Sequence, residues 1–549
     1  MDISPAGEYD ETKIELHKEV FSMYDILFRN ISVVDGTGAP AYIGDVAVKD
    51  GKIVMHPAGE AAETVDGTGR TLCPGFIDVH SHGDMILGTE SGRVCKTTQG
   101  ITTEFGGQCG DTLFPVSPDP ERQTMLGDSV ATCVDTLPDL SQFTTMEGYL
   151  RWAEKQYVTC NYTLLTGHSA LRIAAMGFEN RKPTAEEMEH MKSMLREAME
   201  HGSKGMSSGL IYSPGCYADE DELVELCKVV AEYGGFYATH MRNEAASILD
   251  SVRESISVAE RAGCKLDISH HKICGKDNWG KSVETLKLVH EARERGVDVT
   301  LDVYPYTASM TAINVCLPAR FFAHGPEKMR ELLRDPAVRA ELKAEMEVMD
   351  GRWRHCGGAA GILIAKADAT PDACGMTIAE YAEKLGKDPY DAFFDLAADN
   401  GHGASGIFFS MDEADLQRIV LDENAVIGTD GVVPNLTTAT HPRGMASFPK
   451  AIRYFVRDKK LLTLEEMIRK MTSLPAQRFG IPNKGIIAEG YDADLLVIRA
   501  DEIADRATYT NGLAISEGID RVLVNGITVY QDGKLTGLSS GRFVPHVKF

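Results

Sequence analysis

The sequence predicts an α/β protein: a (β/α)8 TIM-like barrel, a small β-sandwich built from both ends of the chain, and an inserted subdomain. Three observations lead there. Eight short apolar runs alternate with helical stretches through the middle of the chain. Short alternating strands separated by glycine turns occur near the start and return near the end. The stretch from about 312 to 410 is too long to be one crossover between barrel strands.

Residues 1–22 are polar and mixed in charge and read as an N-terminal extension. From Asp25 to Val54 the pattern becomes alternating apolar and polar, as in half-buried strands, with turns at Gly36 and Gly51. The same texture recurs at Asp494–Ile498 and Ile519–Gly526. Chain termini often lie close together, so residues 23–73 and 478–549 are expected to form one small β-sandwich domain. Residues 74–477 are expected to form the barrel. Its strand candidates are Phe76–His80, Thr102–Gly106, Tyr162–Gly167, Lys204–Ser208, Phe236–His240, Lys265–His270, Val297–Tyr304 and Ala425–Asp430. Several are continuously apolar, as strands covered on both faces tend to be. Between them lie helical stretches such as Ala185–Gly202, Asp219–Gly234, Ile248–Gly263 and Ser282–Gly296, each ending at a glycine.

The bulk composition narrows the class. The 549 residues are too many for one core, and 43% hydrophobic with 25% charged residues is ordinary for a soluble protein. A net charge of -25 argues against nucleic acid and anionic membrane surfaces as partners. No apolar run is long enough to span a bilayer, and the acidic first ten residues lack the apolar core of a secretory signal. The 12 cysteines form no C-x-x-C framework and read as free thiols of a cytoplasmic protein.

The chemistry gathers at the carboxyl ends of the candidate strands, the active rim of such a barrel. The first strand runs into His80-Ser81-His82, where positions two apart face the same way. The second is followed by Gly106-Gly107-Gln108-Cys109-Gly110, the fifth ends in His240, the sixth in His270-His271-Lys272 and the eighth in Asp430. Several imidazoles, one thiol and a carboxylate from separate strand ends suit zinc. His271 is a competing ligand candidate, but it faces away from its neighbour on a strand, which favours His270.

The signature Pro74-Gly75-Phe76-Ile77-Asp78-Val79-His80-Ser81-His82, followed by His240, His270 and Asp430, resembles the amidohydrolase superfamily. Within it the chain is similar to the D-aminoacylase branch, the N-acyl-D-amino-acid deacylases. The likeness runs from about Asp25 to Val524 and rests on Cys109 between glycines, Ser207–Tyr212, Ser269–Lys272, Tyr304-Pro305-Tyr306, His441-Pro442-Arg443 and Met471–Ala476. Other members bridge two metals with a carbamylated lysine at the end of strand four. Here that end reads Met206-Ser207-Ser208, Lys204 sits at the opposite end, and a thiolate from Cys109 can take the bridging role.

The resemblance implies a tight zinc site at Cys109, His240 and His270, and a second, more weakly held position flanked by His80, His82 and Asp430. Asp430 is then the residue that takes a proton from water and passes it to the leaving amine. Lys272 and Arg443 are the implied partners of a substrate carboxylate, with Tyr212 and Tyr304 lining the pocket. The implied substrate is a small N-acyl-D-amino acid, with no nucleic acid or membrane partner and a homo-oligomer left open. Rival readings are a cyclic-amide hydrolase of hydantoinase or dihydroorotase type and a non-catalytic scaffold of the same fold. The chain departs from the family after Tyr306, where Thr307-Ala308-Ser309-Met310-Thr311 replaces a glycine-serine pair, and after Cys109, where Gly110-Asp111-Thr112-Leu113 is more polar than usual. Lys96 and Arg93 are further cations that could read an acidic substrate side chain.

Overall fold

A computed structural model describes residues 23–318, 320–321, 325–437 and 440–547. The expected extension at 1–22 lies outside the described residues.

Strands from the two ends of the chain interleave in one nine-stranded sheet. The early strands Tyr24–Val33, Tyr42–Lys49, Lys52–Met55, Ala61–Asp66 and Thr71–Pro74 join the late strands Leu495–Ile498, Ile519–Val524, Ile527–Gln531 and Lys534–Leu535. The seam is the antiparallel pair of Thr71–Pro74 with Leu495–Ile498, in register Leu72↔Val497. Alternation along Tyr24–Val33 puts Ile26 and Phe28 into an apolar cluster with Val46, Leu72 and Leu495. The chain then leaves this sheet, and residues 543–544 pair with Tyr162 in the central part of the molecule.

The middle of the chain carries parallel strands. Phe76–Asp78, Ile101–Gly106 and Asn161–Leu164 pair in that order. Thr166–Gly167, Gly205–Gly209, Phe236–His240, Lys265–Ile268, Val299–Val303 and Ala425–Ile427 pair in a second parallel series. Only Leu165 separates the two series on one side, and its N–H donates to Gly106 O at 3.0 Å. On the other side the Asp430 N–H donates to His80 O at 2.8 Å, and Ser81 bridges Gly431 in parallel sense. The strands are shorter than the sequence suggests: the first ends at Asp78, the sixth at Ile268 and the eighth at Ile427. His80, His82, His270 and Asp430 therefore lie in the turns beyond them.

The helices stop at or just before the predicted glycines. Ala185–Glu200 starts in a capping box of Thr184 with Glu187, and Ile248–Ala262 stops at Gly263 in the left-handed conformation. Their buried faces pack with Leu226, Val230, Tyr237 and Leu266 in one apolar cluster.

Near the expected insertion, an antiparallel sheet of Ala308–Ala312, Ser405–Phe409 and Ile362–Lys366 carries the helices Pro336–Val348, Ile378–Leu385 and Pro389–Asn400. It has its own core around Trp353, Ile362, Phe393 and Phe394. Among the described residues no helix is long and apolar enough to cross a membrane.

Candidate metal centre

Cys109 is the point on which the site converges. Its sulfur lies 3.3 Å from His270 Nε2, 3.4 Å from His80 Nε2 and 3.8 Å from His240 Nδ1. His82 Nε2 and His80 Nε2 stand 3.5 and 3.7 Å from Asp430 Oδ1. Two donor groups result, His80–His82–Cys109–Asp430 and Cys109–His240–His270, with the thiol common to both. The spacing can be checked against coordination geometry. A sulfur at about 2.3 Å and a nitrogen at about 2.05 Å on a tetrahedral zinc are separated by roughly 3.6 Å. The three observed S···N distances straddle that value. Burial pushes the Cys109 thiol well above its usual range, with Asp430 and Asp111 adding to the effect. A cation is therefore what would hold this sulfur as a thiolate. The donor set, its spacing and its burial all fit zinc.

The backbone that aims these groups is strained. Cys109, His270 and Asp430 all adopt positive φ, at 56°, 37° and 47°. Such conformations cost about 1–3 kcal/mol each and concentrate at functional sites. The Cys109 turn is held by Gly107 at φ 74° and Gly110 at φ 81°; a Cβ on Gly107 would lie 2.2 Å from Leu165 O. Ser207, in the middle of the strand Gly205–Gly209, completes the turn: its hydroxyl donates to Gly107 O at 2.5 Å and accepts from the Gly110 N–H at 3.0 Å.

Buried carboxylates orient the imidazoles from behind. Asp302 Oδ2 lies 2.8 Å from His80 Nδ1, and its Oδ1 accepts from the His270 N–H at 2.8 Å. Glu244 stands behind the other pair, 3.6 Å from His240 Nε2 and 3.4 Å from His270 Nδ1. Asp78 anchors the eighth strand's turn, accepting from the Thr429 N–H and hydroxyl at 2.8 and 2.7 Å.

The predicted cations are present but engaged. Lys272 Nζ contacts Glu244 Oε1 at 2.5 Å, His270 Nδ1 at 2.7 Å and His270 O at 2.8 Å. Arg443 donates to Asp430 Oδ2 at 2.6 Å and to Met310 O at 3.0 Å. Burial raises the Asp430 carboxyl, yet Arg443 and the facing histidines outweigh it and hold it well below the usual carboxylate range. Asp430 Oδ1 therefore faces the imidazoles while Oδ2 is fixed by Arg443.

A cavity of about 800 Å³ opens on this cluster, lined by His82, Cys109, His240, His270, Asp430, Lys272, Arg443 and Tyr212. Tyr304 does not form its wall. Its ring lies under Arg443 and Lys272, 4.8 and 5.7 Å from their charged ends, and its buried hydroxyl has no partner. His271 is turned away to Thr285 Oγ1 at 2.8 Å, so His270 is the histidine of that pair that meets the thiol. Lys96 and Arg93 do not reach the cavity, contrary to the suggestion that they read a substrate side chain. Lys96 is buried against Asp78, Ser81 and Glu104, and Arg93 is spent on Gly88 O.

Three participants carried no assigned role in the sequence reading. Asp302 had a signal, as a buried acid inside the strand Val299–Val303. Glu244 stood within the fifth strand's polar end. Arg352 had none: it comes from the 312–410 segment, 108 positions from Glu244, and donates to Glu244 Oε2 at 2.6 Å.

Comparison with known proteins places this arrangement. Models described as the amidohydrolase family match residues 63–347 and 355–529. The chain belongs to the amidohydrolase family. It is 35% identical over 509 residues to the N-acyl-D-glutamate deacylase of Alcaligenes xylosoxydans xylosoxydans, covering 92% of this chain and 93% of that one. It is 32% identical to the D-aminoacylase of the same organism, over 94% and 97% of the two chains. A crystal structure of N-acyl-D-glutamate deacylase from Bordetella bronchiseptica, complexed with zinc and a phosphonate mimic of the tetrahedral intermediate, superposes with a TM-score of 0.80 at 32% identity. That match covers 95% of this chain and all of the other.

Proposed function

We propose that this chain is a zinc-dependent hydrolase of N-acyl-D-amino acids, releasing a carboxylate and a free D-amino acid. The observation that carries the reading is a single thiol shared between two imidazole-rich donor groups, on a cavity that also presents Arg443 and Lys272. The D configuration rests on the likeness to relatives that bear that name.

The parallel strands support a (β/α)8 barrel over residues 74–477, drawn closed by the Asp430–His80 backbone hydrogen bond. Residues 23–73 and 478–549 are assigned to a small β-sandwich domain, and 312–410 to an inserted subdomain. In that frame His80, His82, Cys109, His240, His270 and Asp430 are the residues that would hold metal, with Cys109, His240 and His270 as the tight set. Zinc, when bound there, polarises the amide carbonyl and lowers the pKa of water.

The protein's own groups do the rest. Asp430, kept ionised by Arg443, accepts the proton of the attacking water at Oδ1 and returns it to the leaving nitrogen. Arg443 has donors left beyond those on Asp430 and Met310 O, and these, with the nearby charge of Lys272, suit the substrate carboxylate. Tyr212, on the cavity wall and 5.0 Å ring to ring from His240, closes the pocket beside the imidazoles.

The cyclic-amide reading loses support at strand four. Lys204 Nζ donates to Gly480 O and Pro545 O at 2.7 and 3.2 Å, away from the cavity. The test is a panel of N-acetyl-D- and N-acetyl-L-amino acids beside hydantoin and dihydroorotate, with zinc quantified. Hydrolysis of the open D-amides supports the proposal; ring opening without it would replace the proposal with its rival.

A further inference from the structure

The ionised groups around the cavity do not balance. Lys272, Arg352 and Arg443 are each about 5–6% exposed. Facing them are two buried acids, Glu244, shared by Lys272 and Arg352, and Asp430, paired with Arg443. Counting these groups alone, three cations against two carboxylates leave one positive charge; Asp302 is matched by His80, and a Cys109 thiolate would be matched by the metal it holds. A buried charge is costly unless paired, so this surplus sets how many anionic groups a ligand can bring. One carboxylate, the α-carboxylate of the proposed substrate, uses it.

A second carboxylate on the substrate side chain would need a further cation, and among the described residues the walls do not offer a free one. The cavity lining also includes Met310, Thr311, Ala312, Val315, Ile211 and Tyr212. These groups are already committed or apolar. Met310 sulfur accepts from the His441 N–H at 3.3 Å, and the Thr311 hydroxyl meets Tyr212 Oη at 3.1 Å. Among the described residues the remaining Lys or Arg on the lining is Arg122, which donates to Ala174 O and Ala175 O at 2.6 and 2.9 Å. It stands among Asp119, Glu121, Asp128 and Glu179, which make that part of the lining net negative. Asp111 also borders the cavity, and in either protonation state it adds no cation.

We infer that this pocket selects N-acyl amino acids carrying one carboxylate and an uncharged side chain, rather than the acidic side chain named for its glutamate-specific relatives. Arg352, brought in by the 312–410 segment, is part of this selection: with Lys272 it saturates Glu244 and fixes the surplus at one. The inference rests on the deacylase reading and narrows it. It also separates this chain from what its 35% identity to an N-acyl-D-glutamate deacylase would suggest.

The test uses an isosteric pair on the zinc-loaded protein. N-acetyl-D-glutamine and N-acetyl-D-glutamate differ in shape by almost nothing and in charge by one unit. The expected kcat/KM ratio favours glutamine on the order of 100-fold, the penalty for a buried unpaired charge. N-acetyl-D-methionine and N-acetyl-D-leucine should group with glutamine, and N-acetyl-D-aspartate with glutamate. D-Glutamine should also inhibit as a product more strongly than D-glutamate. Equal or faster hydrolysis of the glutamate compound would overturn the inference and leave the deacylase reading standing. No hydrolysis of any N-acetyl-D-amino acid would remove both.

Discussion

Asp302→Asn tests the support of the metal centre without touching a donor atom. Asp302 holds His80 through Nδ1 at 2.8 Å, which leaves Nε2 free to face Cys109 at 3.4 Å. Asparagine can keep one oxygen for the His270 N–H, now 2.8 Å from Oδ1. It then places an amide NH2 against the His80 Nδ1–H, donor against donor. The imidazole must rotate or move its hydrogen to Nε2, and either change removes it as a ligand. One charge-assisted hydrogen bond is worth about 1.5–3 kcal/mol. That corresponds to roughly a 10–100-fold loss of zinc affinity, the range seen when outer carboxylates are removed. Stability should fall as well. The same bond to His80 is present in the metal-free fold, so the metal-free variant should be less stable than wild type by about 1.5–3 kcal/mol. Chelator competition gives the affinity, and a thermal melt of the metal-free protein gives the stability. Wild-type zinc affinity in this variant would refute the assigned role of Asp302.

Other substitutions probe separate parts of the account. Asp430→Asn should lower kcat by about 10²–10⁴-fold while most zinc is retained, read by steady-state rates and metal analysis of the same sample. Arg443→Ala should cut kcat/KM for free-carboxylate substrates about 100-fold; a much smaller loss for a substrate esterified at that carboxylate would locate the effect in binding. Glu244→Gln should destabilise the fold by about 3–5 kcal/mol in denaturant titration, because Lys272 and Arg352 are left without their anion. Ser207→Ala removes both bonds that hold the Cys109 turn and should cost about 1–3 kcal/mol of stability together with some zinc.

Much of the scaffold was legible because buried parallel strands write themselves as apolar runs. Phe236–His240 was read to the residue, and the other seven runs each overlap an observed strand. The errors cluster at the carboxyl ends. Strand alternation was extended through His80, His270 and Asp430, yet the strands stop two or three residues earlier, and two of these residues take positive φ. Local propensity does not encode such turns; the hydrogen bonds of Asp78, Asp302 and Ser207 across the site impose them. The six donor-type residues were identifiable because each stands at a strand end. Arg352 was not, because its meaning comes from Glu244, far away in the chain and on a different element. Tyr304 was recognised as important but misplaced on the wall, since a ring that supports two cations and one that touches substrate look alike in sequence. The engagement of Arg443 by Asp430 was equally hidden, since the two stand 13 positions apart.

Zinc K-edge X-ray absorption on the purified protein addresses the central claim most directly. If Cys109 joins the imidazoles on a shared ion, the spectrum will contain a sulfur scatterer at about 2.3 Å beside nitrogen and oxygen at about 2.0 Å, and the sulfur shell will vanish in Cys109→Ala. A zinc shell of nitrogen and oxygen alone in the wild-type protein, or a sulfur shell that survives the substitution, would contradict the account.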